Sequence, residues 1–409
     1  MTRAVDVVVL GAGVVGVTTA YALVQRGFTV AIADRRPGPG LETSYANGGQ
    51  LSYAYSDALA SPGLLRKLPF MVTGGDPAFD LKLSADPSFI EWGLRFLRNC
   101  TPGRFSANTL AALELAMESR LAMSGLMARH AIGFGHEVAG KLHLYYDSAA
   151  FAAAADVIEI KARSGVTQHR LAPQEARAIE PSLESAKRLA GAVYSPDDAV
   201  GDPHKFCSAL LKILVEKYGV ATHFGFDAAT LDRRDNHVHL GNGQGGEIRA
   251  GRVAVCLGIG ASRFLKRIGI RVPIWPMKGY SFTAPPGAAA PRISITDTAR
   301  KIVFCRLNGQ VRVAGIAQLG NWDSHVDAAE LARLADTAQD ALPGAALYDQ
   351  AYMPWAGLRP MTPRSLPVIS RPRADILVNV GHGMLGWTFA MGAAERTANL
   401  LTTDIKKGT

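Results

Sequence analysis

Cysteine is scarce: four thiols in 409 residues, at positions 100, 207, 256 and 305, with no Cys-x-x-Cys pair. A chain this long buries a large core without covalent staples. The scattered thiols therefore exclude a disulfide scaffold and a finger-type zinc site, and they read as reduced groups of an intracellular protein. No apolar run approaches the roughly 18 residues of a membrane-spanning helix. A secretory leader is missing as well: the short run Val5–Leu10 leads into Gly11-Ala12-Gly13, a glycine turn where a leader would carry a cleavage site. Charged residues are 19% and apolar residues 48%, which excludes disorder, and the 42 glycines follow no period, which excludes a collagen-like rod. There is no internal repeat and no low-complexity segment. A basic stripe is also absent. The net charge of +9 (44 − 35) comes from scattered pairs: Arg35-Arg36, Arg66-Lys67, Arg233-Arg234 and Lys406-Lys407. That favours phosphates, carboxylates or an acidic membrane face as partners, and argues against nucleic acid.

What is present is a chain of two or three domains at roughly 150 residues each. Val5–Leu10 reads as a buried strand, 14–26 as a helix and 29–33 as a second strand, a strand–helix–strand unit of the kind that builds parallel sheets. A polar, glycine-rich loop occupies 42–52, and 61–105 reads as irregular. Helices are expected at about 110–130, 149–163 and 204–218, and strands at 140–146 and 252–257. A hairpin is expected at 222–250 and another at 301–316, turned by Asn308-Gly309. The strand at 376–380 precedes Gly381-His382-Gly383 and a closing helix to 401.

Gly11-x-Gly13-x-x-Gly16 sits between a strand and a helix. The first glycine allows the turn, the second lets backbone approach a pyrophosphate, and the third permits close helix–strand packing. Gly11, Ala12, Gly13, Val14, Val15 and Gly16 thus offer amides and a helix N-terminus to phosphates. Asp34, 23 residues beyond Gly11, is placed to accept hydrogen bonds from a ribose diol. The motif serves NAD and FAD alike, and Arg35-Arg36 reads either as a 2′-phosphate fork or as a surface pair. The motif lies near the start of the chain, and a second glycine turn closes it at 381–383. That arrangement suits a flavin held along its length, with the terminal turn returning to its ring.

Several segments in order, VVVLGAGVVGVTTAYAL, ETSYANGGQLS, LRNC, WPMKGYSFT, GLRPMTPRSLPVIS and GHGMLGWTFAMG, resemble the FAD-dependent D-amino acid dehydrogenases, small-subunit type, within the D-amino acid oxidase and glycine oxidase group. The likeness spans about 5–402. It implies an α/β architecture: a Rossmann-like, doubly wound FAD-binding domain from discontinuous segments (1–85, 200–270 and 352–409), and an α+β substrate domain with a mixed sheet (86–199 and 271–351). It implies oxidative deamination of a D-amino acid to a 2-oxo acid. A cyclic imino acid, oxidised to the imine, stays open as substrate. Electrons would pass to a quinone or another acceptor rather than directly to oxygen. The place is the cytoplasm, with peripheral attachment to the inner membrane face or to a partner subunit. The alternative is an oxygen-using glycine- or sarcosine-type amine oxidase that makes peroxide.

The resemblance assigns Arg359 as the fork for a substrate carboxylate, against an internal ion pair. His382 contacts the flavin ring or sits as a structural histidine. Gly381, Gly383, Met384 and Leu385 form the turn beside the ring. Ser44, Asn47, Gly48, Gly49, Gln50 and Leu51 make the flavin-side loop, with Gly258 nearby, and Tyr53 and Tyr55 line the substrate side. Lys278 either touches substrate or is structural, and Trp387 reads as packing. Arg300 stands where many relatives carry tyrosine; inside the cavity it would select a second carboxylate, and facing solvent it would change nothing. Arg364-Ser365-Leu366-Pro367 and Met384 also depart from the family pattern, which leaves the D-alanine preference of relatives in doubt. The apolar and basic residues of 61–105 fit an anionic membrane surface or an ordinary lid. His237 and His239 lack a third ligand, so no metal is expected.

Overall fold

The structure is a computed structural model that describes residues 4–72, 75 and 78–405, with backbone alone for 66–69, 72 and 403–405. The Arg66 and Lys67 side chains and the Lys406-Lys407 pair lie outside the described residues.

Two sheets organise the chain. The nucleotide-side sheet has eight strands with a parallel centre: Ile376–Val380, Glu247–Val255, Val5–Leu10, Val30–Asp34 and Ala221–Phe224. Val5–Leu10 is apolar almost throughout because both its faces are covered. Val7 and Val9 face the helices Val14–Val24, Pro102–Arg129, Pro203–Tyr218 and Gly386–Ile405. Val8 and Leu10 face the other way, onto the hairpin Thr230–Arg234/His237–Gly241 and the short helix Ala261–Arg267. One cover of this Rossmann-like sheet is therefore helical and the other largely an antiparallel hairpin.

The covering sheet has nine strands, mostly antiparallel, in the order Tyr352–Met361, Trp275–Ala284, Gln310–Leu319, Ile302–Leu307, Ser294–Asp297, Lys141–Tyr145, Gly191–Ser195 and His169–Leu171, with Phe79–Leu81 beside Gln310–Leu319. Asn308 and Gly309 turn its central hairpin with φ of 51° and 77°, the left-handed pair a two-residue turn demands. The domain division expected from the sequence put 79–81 and 352–361 with the nucleotide-binding unit. Their backbone partners are strands of the covering sheet.

The stretch 61–105 corrects an expectation. It holds the helices Pro62–Val72 and Pro87–Asn99, and the start of Pro102–Arg129. Proline begins each of them, where its missing N–H costs nothing, and the Asp86 carboxylate caps the second by accepting the Ser88 amide at 2.8 Å. Among the described residues no helix is long and apolar enough to cross a membrane, and all four thiols are buried and free.

Gly16 is where helix Val14–Val24 meets the turn: a Cβ there would collide with the Gly11 carbonyl oxygen. Gly16→Ala should cost about 3 kcal/mol or more, since backbone on both sides must move. The check is Tm beside Gly103→Ala, a helical position whose added Cβ meets nothing within 4 Å. Equal losses would show that crowding at Gly16 is unimportant.

Candidate active site

A cavity of about 970 Å³ runs between the two sheets. Its nucleotide end is built by the glycine turn. Gly11, Gly13, Val14 and Val15 line it, and Gly13 precedes the helix with no side chain in the way. The Val14 amide donates to Ser44 Oγ at 3.1 Å. The Asp34 carboxylate accepts the Ala12 and Arg36 amides, each at 2.7 Å, which fixes it at the cavity edge with lone pairs to spare. Burial pushes its pKa up from the ordinary carboxylate value, while the two amides pull it down. Arg35 also lines this end, but Glu42 engages both Arg35 and Arg36, so the pair is not an open phosphate fork.

The central part is lined by Asn47, Gly48, Gly49 and Gln50 from one side and by Gly258, His382, Gly383, Met384 and Leu385 from the other. His382 is buried, and its Nε2 has no hydrogen-bond partner in the protein. Burial lowers its pKa to about 3, so the imidazole is neutral at physiological pH. Ala12, Gly16, Leu51 and Gly381, all expected at the cofactor, stand one layer behind the wall. Ala12 holds Asp34, Gly16 packs the helix, Leu51 pairs with Ala199, and Gly381 turns the chain with φ of 80°.

The far end lies on the covering sheet. Arg359, on Tyr352–Met361, reaches across Gly279 and donates from Nη1 to the Ile316 carbonyl at 3.3 Å. A Cβ on Gly279 would occupy the guanidinium's place, so the glycine makes the seat. No carboxylate pairs with Arg359 among the described residues, and burial lowers its pKa to about 10. The area it leaves exposed is cavity wall. An internal ion pair, the other reading from the sequence, is absent among the described residues.

Two expected substrate contacts are corrected. Arg300 is held by Asp297 at 3.1 Å and Asp340 at 3.0 Å, with its guanidinium over the Tyr146 ring, and it does not reach the wall. Two acidic partners, one of them distant in sequence, draw it outward. Tyr53 is buried in the helical core instead of the cavity. Tyr55 does line the wall, stacked on His143 with ring centroids 3.3 Å apart. Lys278 is buried, 3.8 Å from Asp323 and over Tyr280, away from the wall. Trp387 borders the cavity but is fixed by its Nε1–H to the Gly201 carbonyl and by Phe134 and Phe206.

Sequence reasoning missed Lys141, His143, Asp57 and Thr296, which all line the wall. The signal was available in Lys141-Leu142-His143-Leu144-Tyr145. The leucines alternate into the core, so the lysine and histidine face the other way. His237 and His239 lie on the strand His237–Gly241, away from the cavity wall, His239 against Glu247 and His237 against Arg249. No cluster of three or more His, Cys, Asp or Glu suited to a metal occurs among the described residues.

Residues 6–400 match the family of FAD-dependent oxidoreductases. The chain belongs to that family. It is 40% identical to D-amino acid dehydrogenase 2 of Ralstonia nicotianae, over 97% of this chain and 96% of that protein. It is 37% identical to a D-amino acid dehydrogenase of Paramagnetospirillum magneticum, over 97% and 94%. Among solved structures, glycine oxidase from Bacillus cereus superposes with a TM-score of 0.74 at 18% identity, covering 98% of this chain and 95% of that one, which shows a shared fold. FAD is thus the cofactor, and the cavity suits it: an open glycine turn, an anchored ribose-side carboxylate and an unpartnered imidazole nitrogen lie along one path.

Two outcomes test the site. Gly13→Val puts a branched side chain into the nucleotide end, where even a Cβ lies 3.2 Å from Ser44 Oγ. The purified variant should lack the flavin absorption band. Unfolding returns His382 to its ordinary pKa near 6.5, so between that value and about 3 the unfolded chain binds more protons and stability falls as pH falls. By pH 5 the loss due to His382 should be about 2 kcal/mol. His382→Gln should remove that share from the difference between unfolding free energies at pH 7 and pH 5; an unchanged difference would show that the imidazole titrates normally.

Proposed function

We propose that the protein oxidises a D-amino acid, or a cyclic D-imino acid, to the imine, which water converts to a 2-oxo acid and ammonia or which stays as the cyclic imine. The observation that carries this is Arg359, a half-buried guanidinium on the cavity wall with no carboxylate partner. An unpaired cation so placed is costly unless an anion completes it. Its planar fork fits a carboxylate through two parallel hydrogen bonds. The relatives' names supply the substrate class.

FAD, when bound, supplies the acceptor for the hydride leaving Cα. The protein's part is position and dryness. Arg359 fixes the carboxylate, and with it Cα, against the part of the cavity lined by Asn47–Gln50 and Gly383–Leu385. The nitrogen lone pair forms the C=N bond as the Cα–H bond breaks. His382 is too weak a base to take a proton from the substrate ammonium and offers the cofactor one neutral hydrogen bond instead. Helices Pro62–Val72 and Pro87–Asn99 close the Arg359 side with Leu64, Met71, Phe89, Trp92 and Phe96, and the Trp92 indole N–H is tied to the Met361 carbonyl at 3.0 Å.

The same apolar lining supports a lipophilic quinone as electron acceptor. Ile90 and Leu94 are more than half exposed on helix Pro87–Asn99, and so is Leu83 on the segment before it, which supports attachment at a membrane face or on a partner subunit. Turnover with a soluble quinone and little peroxide is the expected result. Stoichiometric peroxide would favour the oxygen-using amine oxidase instead.

Arg359→Lys should raise substrate KM by about tenfold or more while FAD stays bound, because a lysine cannot reproduce the fork. Anaerobic bleaching of the flavin band by a panel of D-amino, L-amino and imino acids tests the whole reading. A wild-type KM in the variant would remove Arg359 from the site, and a flavin unmoved by every D-compound would overturn the activity.

A further inference from the structure

Helix Pro87–Asn99 turns one face to the cavity and another to a separate cleft. Phe89, Trp92, Gly93 and Phe96 line the cavity. Arg95, with Arg98 and Asn99 three and four positions on, lines the cleft. The cleft holds about 490 Å³ and shares no lining residue with the cavity. Arg104, from the start of helix Pro102–Arg129, and Arg364, from the turn after the Arg359 strand, line its other walls. Four arginines thus meet here, and no acidic side chain is among the lining residues. The amino acid reading of the cavity uses none of them.

The protein completes only part of this charge. Glu91 takes Arg95 at 2.5 Å. The guanidinium groups of Arg98 and Arg104 have no hydrogen bond or ion pair among the described residues. Arg98 complements the C-terminal end of its own helix. Arg104 does the opposite: it sits in the first turn of the next helix, where the dipole disfavours a cation. That turn has no acidic residue and no side-chain cap. Arg364 is positioned by a run of amides. Its Nε donates to Asn108 Oδ1 at 3.2 Å, Asn108 Nδ2 to Asn99 Oδ1 at 2.9 Å, and Asn99 Nδ2 to the Arg95 carbonyl at 2.7 Å. Both asparagines are buried, so two buried side chains orient one exposed guanidinium beside other unpaired cations. Such a concentration of one sign, held in place, favours an anion.

We propose that this cleft binds a phosphate group through Arg98, Arg104 and Arg364. Charge and shape select phosphate over carboxylate. A phosphate group carries up to about two charges and has at least three oxygens to share among the guanidinium groups, where a carboxylate has two. Ile90 and Leu94 are exposed on the same helix, so the group fits the headgroup of an anionic lipid as well as a soluble phosphate ester.

Two probes separate those sources, both applied to the FAD-bound protein so that the glycine turn is already filled. Glycerol phosphate is titrated by calorimetry. Vesicles of phosphatidylglycerol in phosphatidylcholine are compared with phosphatidylcholine alone by flotation. Arg98→Gln with Arg364→Gln should weaken binding of at least one probe about tenfold or more, while the flavin band and Tm show the variant folded. Arg163→Gln with Lys212→Gln removes the same charge at two exposed positions outside the cleft and should leave binding as it was. Glycerol phosphate bound through the cleft would support the site with a soluble ester as its ligand, and binding of anionic vesicles alone would support it with the lipid headgroup. Binding of neither probe by the wild-type protein would overturn the proposal, and so would equal losses in the two double variants.

Discussion

The site depends on how one loop is fastened across the covering sheet. Residues 46–52 leave the nucleotide-side unit and are stitched strand by strand to the other. Ser281 Oγ donates to the Ala46 carbonyl at 2.5 Å, Arg312 Nη1 to the Asn47 carbonyl at 3.2 Å, Gln50 Nε2 to Ser294 Oγ at 2.6 Å and Lys141 Nζ to Ser52 Oγ at 2.5 Å. On the other side, Gly201 donates to Gly49, and the Ser52 amide donates to Thr388. These donors are buried or nearly so, where an unmade hydrogen bond is expensive, so the loop has one position. Gly48 then lies on Val303 and Ala314, and Gly49, with φ of 67°, lies against Leu307, where an added Cβ would come within 2.5 Å of that side chain. The loop fixes the width of the cavity, and the chemistry at both ends inherits that width.

The polar groups on and behind the wall divide by whether the protein completes them. Asp34 is anchored by two amides, Arg300 by two carboxylates and Lys161 by Asp57. Arg359, His382, His143 and Lys141 are left with one protein partner or none. Buried polar groups are ordinarily satisfied, so the incomplete ones mark where ligands belong. A neutral imidazole sits in the part lined by the glycine turns, a guanidinium on the sheet beyond it, and the Lys141 ammonium with the buried His143 imidazole three strands further on.

How much of this the sequence showed depends on how local each cause is. The glycine turn, Asp34 and the Asn308-Gly309 hairpin are legible because each needs only neighbouring residues and a backbone angle. The helices at 62–72 and 87–99 were obscured by their prolines and glycines, which mark starts there and not breaks. Arg300 and Arg359 look alike in sequence. What separates them is Asp340, forty positions from Arg300, and Gly279, eighty positions before Arg359. Lys141 and His143 lay in a strand that was recognised, but a strand's pattern tells which residues share a face and not what that face looks upon.

The strand Tyr352–Met361 shows why its membership in the covering sheet matters for function. It carries Arg359, and the chain then runs through the Thr362–Leu366 turn and the paired strands Val368–Arg373 and Ile376–Val380 to reach His382. Arg359 and His382, at different parts of the cavity wall, are therefore only 23 positions apart, joined by one tight turn and an antiparallel pair. Trp92 ties its indole to Met361 in the same crossing, which couples the helical lid to it. A crossing this short cannot let the two sheets separate far while Arg359 keeps its place. Leu64, Met71, Phe89 and Phe96 of the lid helices line the cavity, so its apolar lid is held directly to the strand that carries Arg359.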